Sequence, residues 1–100
     1  MTPRSICLKA AKILSKKGLV KGEYFRHNYE QRVDTRYCAI GVLRKAGTGN
    51  ANQTMPSWLN DAIFGVHTAV YGEPMSYFND REETTRKDVI NRLKELARLV

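Results

Sequence analysis

Cys38, His67 and the pair Asn79-Asp80 are the residues whose types could do chemistry. A cysteine attacks as its thiolate, and it needs a base to take the proton and a polar group to orient that base. Cys38, His67 and Asp80, with Asn79 as the other orienting candidate, stand in a chain order that such a hydrolase permits. The same residues also have a structural reading. Cys38 lies four residues before Val42 and His67 four after Ile63, so each falls on a face that a helix can turn inward. Free cysteine in a core behaves as a small hydrophobe. Asn79-Asp80 follows an aromatic and precedes Thr85 by five residues, which suits short polar side chains that bond nearby backbone donors and fix a turn. In the functional version the pair forms a polar pocket, with Asp80 facing Arg36 or Arg81. The structural reading sets the expectation of a protein that binds, with a Cys38-dependent hydrolase as an alternative.

Charge supplies the second constellation. Seventeen Lys/Arg against ten Asp/Glu give a net charge of +7. Within residues 1–50 eleven cations face three acids, so the excess is N-terminal. Lys9, Lys12 and Lys16 share one helix face, and Lys17, Lys21, Arg26, Arg32, Arg36, Arg44 and Lys45 extend the basic series. Tyr24, Phe25, Tyr29 and Tyr37 interleave with it, as stacking in a single-strand nucleic-acid binder requires. No recognition-helix signature, aromatic RNA-binding motif or zinc knuckle accompanies them, so a basic nucleic-acid binder is an alternative reading. The expected binding residues are Lys9, Lys12, Lys16, Arg36, Asn79 and Asp80, with a host protein or an anionic small molecule as partner. His27, His67, Cys7 and Cys38 lack the close ligand pairs of a zinc site, and no glycine-rich phosphate loop is present. Neither metal nor cofactor is expected.

These residues must be positioned by helices. Thr2-Pro3 opens a helix over about 3–17, with Ile6, Cys7, Ala10, Ala11, Ile13 and Leu14 on one side and Gly18 as its cap. Residues 19–36 lack helical periodicity, and a minor extended element is expected near residues 19–25. Asp34 or Thr35 caps a second helix over roughly 36–46, ended by Gly47. Ser57 starts a third, whose Leu59, Ala62, Ile63, Val66, Ala69 and Val70 repeat at 3.6 residues until Gly72 and Pro74 stop it. Residues 73–83 read as a loop, and Thr84 or Thr85 caps a fourth helix over about 86–99. The fold class is therefore all-α: one domain, 1–100, built as a compact four-helix array.

One hundred residues at 42% hydrophobic content suffice for one core, as monomer or small homo-oligomer. The apolar run over 62–71 is broken by Gly65, His67 and Thr68, short of the roughly 20 residues of a membrane span. No apolar signal core follows Met1, and two cysteines are too few for a disulfide framework. A cytoplasmic protein with reduced thiols is expected.

The order of its motifs resembles an uncharacterised family of small actinobacterial and bacteriophage proteins, a domain of unknown function. The resemblance rests on an Ala-Ala-x-x-Leu helix, Gly18 and Gly22-x-Tyr24, the run from Tyr37 to Leu43 of aromatic-Cys-Ala-x-Gly-x-Leu type, and Phe78-Asn79-Asp80 before a Thr-initiated helix. It spans most of the chain and differs in having Tyr37 and Phe78 where tryptophan is more usual. It implies a phage- or prophage-associated accessory protein, located in the bacterial host's cytoplasm when phage-encoded.

Overall fold

The computed structural model describes residues 1–28 and 33–100, and of Phe25, His27, Asn28 and residues 33–35 the backbone only. The sequence-expected Tyr29 and Arg32 lie outside the described residues. Helix α1, Pro3–Lys16, starts as its sequence dictates: the Thr2 hydroxyl accepts from the Ser5 N–H at 3.1 Å, and the Ser5 hydroxyl accepts from the Thr2 N–H at 3.0 Å. This reciprocal pairing satisfies two otherwise orphaned donors. The chain leaves the helix at Lys17, one residue before the expected glycine. The cause is tertiary. Tyr37 donates its N–H to the Gly18 carbonyl at 2.9 Å and accepts from the Val20 N–H at 3.0 Å, which draws residues 18–20 into extended pairing.

That pairing also moves the extended element. Strands β1, Phe25–Asn28, and β2, Val33–Tyr37, form an antiparallel ribbon with Arg26 opposite Arg36 and an irregularity between Arg26 and Asn28. Residues 19–25 contribute only the isolated bridge of Leu19 to Tyr37 and the first residue of β1. Two arginines placed directly opposite repel, and Glu23 offsets the Arg26 charge at 2.5 Å. Because β2 occupies 33–37, the second helix cannot begin at 36. Helix α2 runs Ala39–Thr48 with Cys38 as N-cap, and it ends at Gly49 instead of Gly47. Gly47 is internal because Met55 packs on it, where a Cβ would stand 2.7 Å from the sulfur.

Residues 57–71 form one rod in three parts: α3, Ser57–Asn60, a π-helical turn, Asp61–Gly65, and α4, Val66–Tyr71. The side chains that it buries are Leu59, Ile63 and His67, each four residues apart. An α-helix turns about 100° per residue, so residues spaced by four drift about 40° per step, and the wider π turn absorbs the drift. Val66 packs partly against the core, whereas Ala69 and Val70 face solvent, contrary to the 3.6-residue reading. Gly72, at φ +75, closes the rod as expected.

The expected loop at 73–83 contains a further helix, α5, Met75–Asp80, which buries Met75, Phe78 and Asn79. Thr84 is buried and donates its hydroxyl to the Phe78 carbonyl at 2.7 Å, so it serves the end of α5 while Thr85 caps α6, Arg86–Leu99. The all-α expectation holds, with the ribbon added. Helix α6 packs along α1, α2 crosses α1, and α5 packs on α2. Ile6, Leu14, Leu43, Ile63, Leu93 and Leu96 meet in one core, fully shielded from solvent. No helix among the described residues is long and apolar enough to cross a membrane.

Candidate functional site

Cys38 sits at the entrance to α2, where free backbone donors collect. Its sulfur accepts from the Gly41 N–H at 3.2 Å. Sulfur is a weak acceptor, and a second group completes the cap. Asn79, reaching across from α5, accepts the Ala39 N–H on its Oδ1 at 2.9 Å. The Nδ2 of Asn79 donates to the Val20 carbonyl at 3.2 Å and to Asp80 Oδ1 at 3.0 Å. Asp80 Oδ1 also accepts the N–H of Gly22, whose φ of +78 suits glycine. The Cys38 N–H donates to the Tyr24 carbonyl at 3.1 Å. Gly41 packs so closely there that a Cβ would stand 1.8 Å from the Tyr24 oxygen. The two motifs of the sequence therefore meet: the Tyr37 to Leu43 run and Asn79-Asp80 clamp the 20–24 loop between them.

A surface cleft of about 440 Å³ opens over this clamp, with Gly22, Tyr24, Cys38, Ile40, Asn79 and Asp80 among its walls. Cys38 forms part of the wall yet is only 5% exposed. Burial pushes its thiol pKa up, the amides of Gly41 and Ile40 draw it down, and the Asp80 charge raises it again, with burial prevailing. Cys7, buried in α1, is pushed up to about 11 by burial. Both thiols are thus held in the poorly nucleophilic protonated form. Asp80 pairs with neither Arg36 nor Arg81 among the described residues. Arg81 pairs with Glu73, and Arg36 lies across Gly18.

His67 belongs to a different constellation. It is fully buried, with Nδ1 3.1 Å from the Glu73 carbonyl oxygen and Nε2 3.1 Å from an Arg92 guanidinium nitrogen. The carbonyl can only accept and the guanidinium can only donate, so His67 is neutral with its proton on Nδ1. Burial first, and then the Arg92 charge, lower its pKa. Arg92 is held between the Tyr71 and Phe78 rings, 3.8 Å from each centroid. Tyr71 donates its hydroxyl to Glu95. Burial and that bond push the Tyr71 pKa up to about 12. None of these partners lines the Cys38 cleft. The structure brings Cys38, Asn79 and Asp80 together and leaves His67 with both ring nitrogens committed elsewhere.

The lysines of the basic face, Lys9, Lys12 and Lys16, are exposed on α1, and their ammonium groups make no ion pair among the described residues. Of the interleaved aromatics, Tyr37 is buried and Tyr24 has the Arg44 guanidinium over its ring at 4.3 Å. Tyr29 and the Phe25 and His27 side chains lie outside the described residues. Among the described residues no group of three or more His, Cys, Asp or Glu is placed to hold a metal ion. Sequence reasoning missed Arg92 and the particular roles of Gly41 and Arg44. Arg92 had no local signal, Arg44 was visible only as one cation of the basic series, and Gly41 only as one glycine of a motif.

Two outcomes follow from these contacts. Asn79→Leu leaves the Ala39 N–H and Val20 carbonyl without buried partners, at about 1–3 kcal/mol for each unsatisfied group. Chemical denaturation should show a lower midpoint, with earlier hydrogen exchange at Ala39 and over 20–24. For His67, the unfolded chain takes up a proton near the ordinary pKa of 6.5 while the folded chain refuses it until lower pH. Stability from this group is complete above that value and is lost as pH falls below it, by at most about 1.4 kcal/mol per pH unit. His67→Gln should flatten the stability profile between neutral pH and about pH 5, because it removes the group whose proton uptake differs between the folded and unfolded chains. An unchanged slope would remove His67 as its source.

Neither a curated protein nor a solved structure matches the chain. A family match covers residues 1–99, and so includes α1, the ribbon, the Cys38–Asn79 clamp and the His67–Arg92 cluster. The chain belongs to the Family of unknown function (DUF6197).

Proposed function

We propose that this protein acts by binding an anionic partner, an acidic host protein or anionic host molecule, and that it carries out no chemistry at Cys38. The observation behind the reading is the exposed lysine row of α1, without ion pairs among the described residues. Lys9, Lys12 and Lys16 run along α1 to its C-terminal end, and Arg36 crosses Gly18 just beyond it. Arg36, 20 residues on from Lys16 in sequence, adds a cation beyond the end of that helix. Clustered like charges on a solvated surface raise the association rate with an oppositely charged partner and make it salt-dependent. The shielded Cys38 thiol and the fully committed His67 favour binding over hydrolysis. Phage or prophage association and a host partner belong to the same proposal and rest on the motif resemblance.

The test pairs two measurements. Native Cys38 should alkylate at neutral pH no faster than Cys7, both becoming reactive on unfolding. Selective, rapid alkylation of native Cys38, slowed by His67→Ala, would return the hydrolase to first place. Lys9→Glu, Lys12→Glu and Lys16→Glu combined should slow association with partners captured from bacterial lysate by about tenfold or more, while leaving the circular dichroism unchanged. Capture that ignores both salt and charge reversal counts against this surface.

A further inference from the structure

Beside the Cys38 cleft, and sharing Ile40 and Ser76 with it, lies a hollow of about 210 Å³ between α2, the 57–71 rod and α5. Arg44, Asn60, Thr68 and Ser76 are its polar walls, and no Asp or Glu lines it. None of these four side chains makes a hydrogen bond or ion pair among the described residues. Arg44 Nε is the one buried side-chain nitrogen or oxygen among the described residues without a hydrogen-bond partner. The contrast with the other buried polar side chains is sharp, since Asn79, His67 and Thr84 are all bonded. An arginine with a buried, unpaired donor ordinarily takes a carboxylate from its own protein. Here it has instead the face of Tyr24, which supports the charge and orients the plane without consuming a single N–H.

The rod contributes the remaining geometry. Asn60, Phe64 and Thr68 are spaced by four, like the buried series Leu59, Ile63 and His67, and the π turn keeps both rows aligned. Phe64 and Met75 supply apolar wall opposite the unspent donors. The volume is below the roughly 300–1,000 Å³ of pockets for drug-sized ligands, so the occupant is small. A planar carboxylate matches the guanidinium fork, and one cation balances its single charge, whereas a phosphate dianion calls for more.

We propose that this hollow is a binding site for a small organic carboxylate, its oxygens on Arg44 and its short apolar body against Phe64 and Met75. The site is separate from the α1 lysine face and stands without it.

Benzoate is the probe, titrated into the ¹⁵N-labelled full chain while the Arg44 Nε–H and the backbone amides are followed by NMR. The expected result is saturable binding at roughly millimolar Kd, the range open to a ligand of this size, with shifts centred on Arg44 Nε–H, Asn60, Phe64 and Ser76. Arg44→Lys keeps the charge but not the fork, and should weaken binding by about tenfold, as should Arg44→Gln. The Lys9/Lys12/Lys16 charge reversal should leave the benzoate Kd unchanged, which separates this site from the α1 surface. Should a variant misfold, the Arg44 Nε–H shift in the unaltered protein still decides. Non-saturating shifts, shifts spread over α1, Arg44→Lys binding as well as the parent, or inorganic phosphate binding as tightly as benzoate would each overturn the assignment.

Discussion

The Asn79 amide is the contact on which the layout of this small protein turns. One side chain accepts from the first N–H of α2 and donates to the 20–24 loop and to Asp80. A buried primary amide has two donors and two acceptor positions, and three hydrogen bonds occupy most of that capacity. It joins the start of one helix, the end of another and the connection that leads into the ribbon. Each is a place where backbone groups lack a partner within their own element, so the amide replaces water at three ends at once. Gly41 makes the arrangement possible by letting the Tyr24 carbonyl approach the helix without a Cβ in the way.

The same frame separates two sets of groups that could otherwise be read as one catalytic site. Cys38 faces the α2 entrance, where burial outweighs the amides that would lower its pKa. His67 looks the other way, toward α6, and holds Arg92 between two rings. An arginine that donates to a histidine fixes it as the neutral species and removes its capacity to take a proton cheaply. This polar cluster ties the rod to α6 through the His67–Arg92 and Tyr71–Glu95 contacts.

The ribbon and the π turn then decide which surfaces are left for partners. Pairing of 18–20 with Tyr37 lays Arg36 across Gly18, beyond the C-terminal end of α1. The π turn lets the rod bury one row of side chains and present the next to the hollow beside Arg44. Both surfaces are basic, yet they differ physically. The α1 row is solvated and screened by salt, whereas the Arg44 donors are partly withdrawn from water and keep their strength at close range.

Local chemistry in the sequence was enough to establish the Thr2 cap, to narrow the α6 cap to Thr84 or Thr85, and to give the ends at Gly72 and Pro74 and the inward stripes of α1 and α6, because caps and amphipathic faces depend on residues within four of one another. It also offered Asn79-Asp80 as backbone-binding and Cys38 as packed, each beside a functional alternative. The second helix was placed too early because the bonds that hold Tyr37 extended come from residues 18 and 20. Helix α5 was read as a loop because its six residues gain stability from burying Met75 and Phe78, and not from any local periodicity. The hydrolase alternative set His67 beside Cys38, but its bonding partners come from Glu73 and from Arg92, 25 residues onward. Arg44 was one cation of a basic series until the fold set it beside Tyr24, in a hollow that no Asp or Glu lines. Spacing along a chain determines which side chains share a face, whereas desolvation and pairing depend on what the other elements bring to that face. Only the tertiary structure decides that.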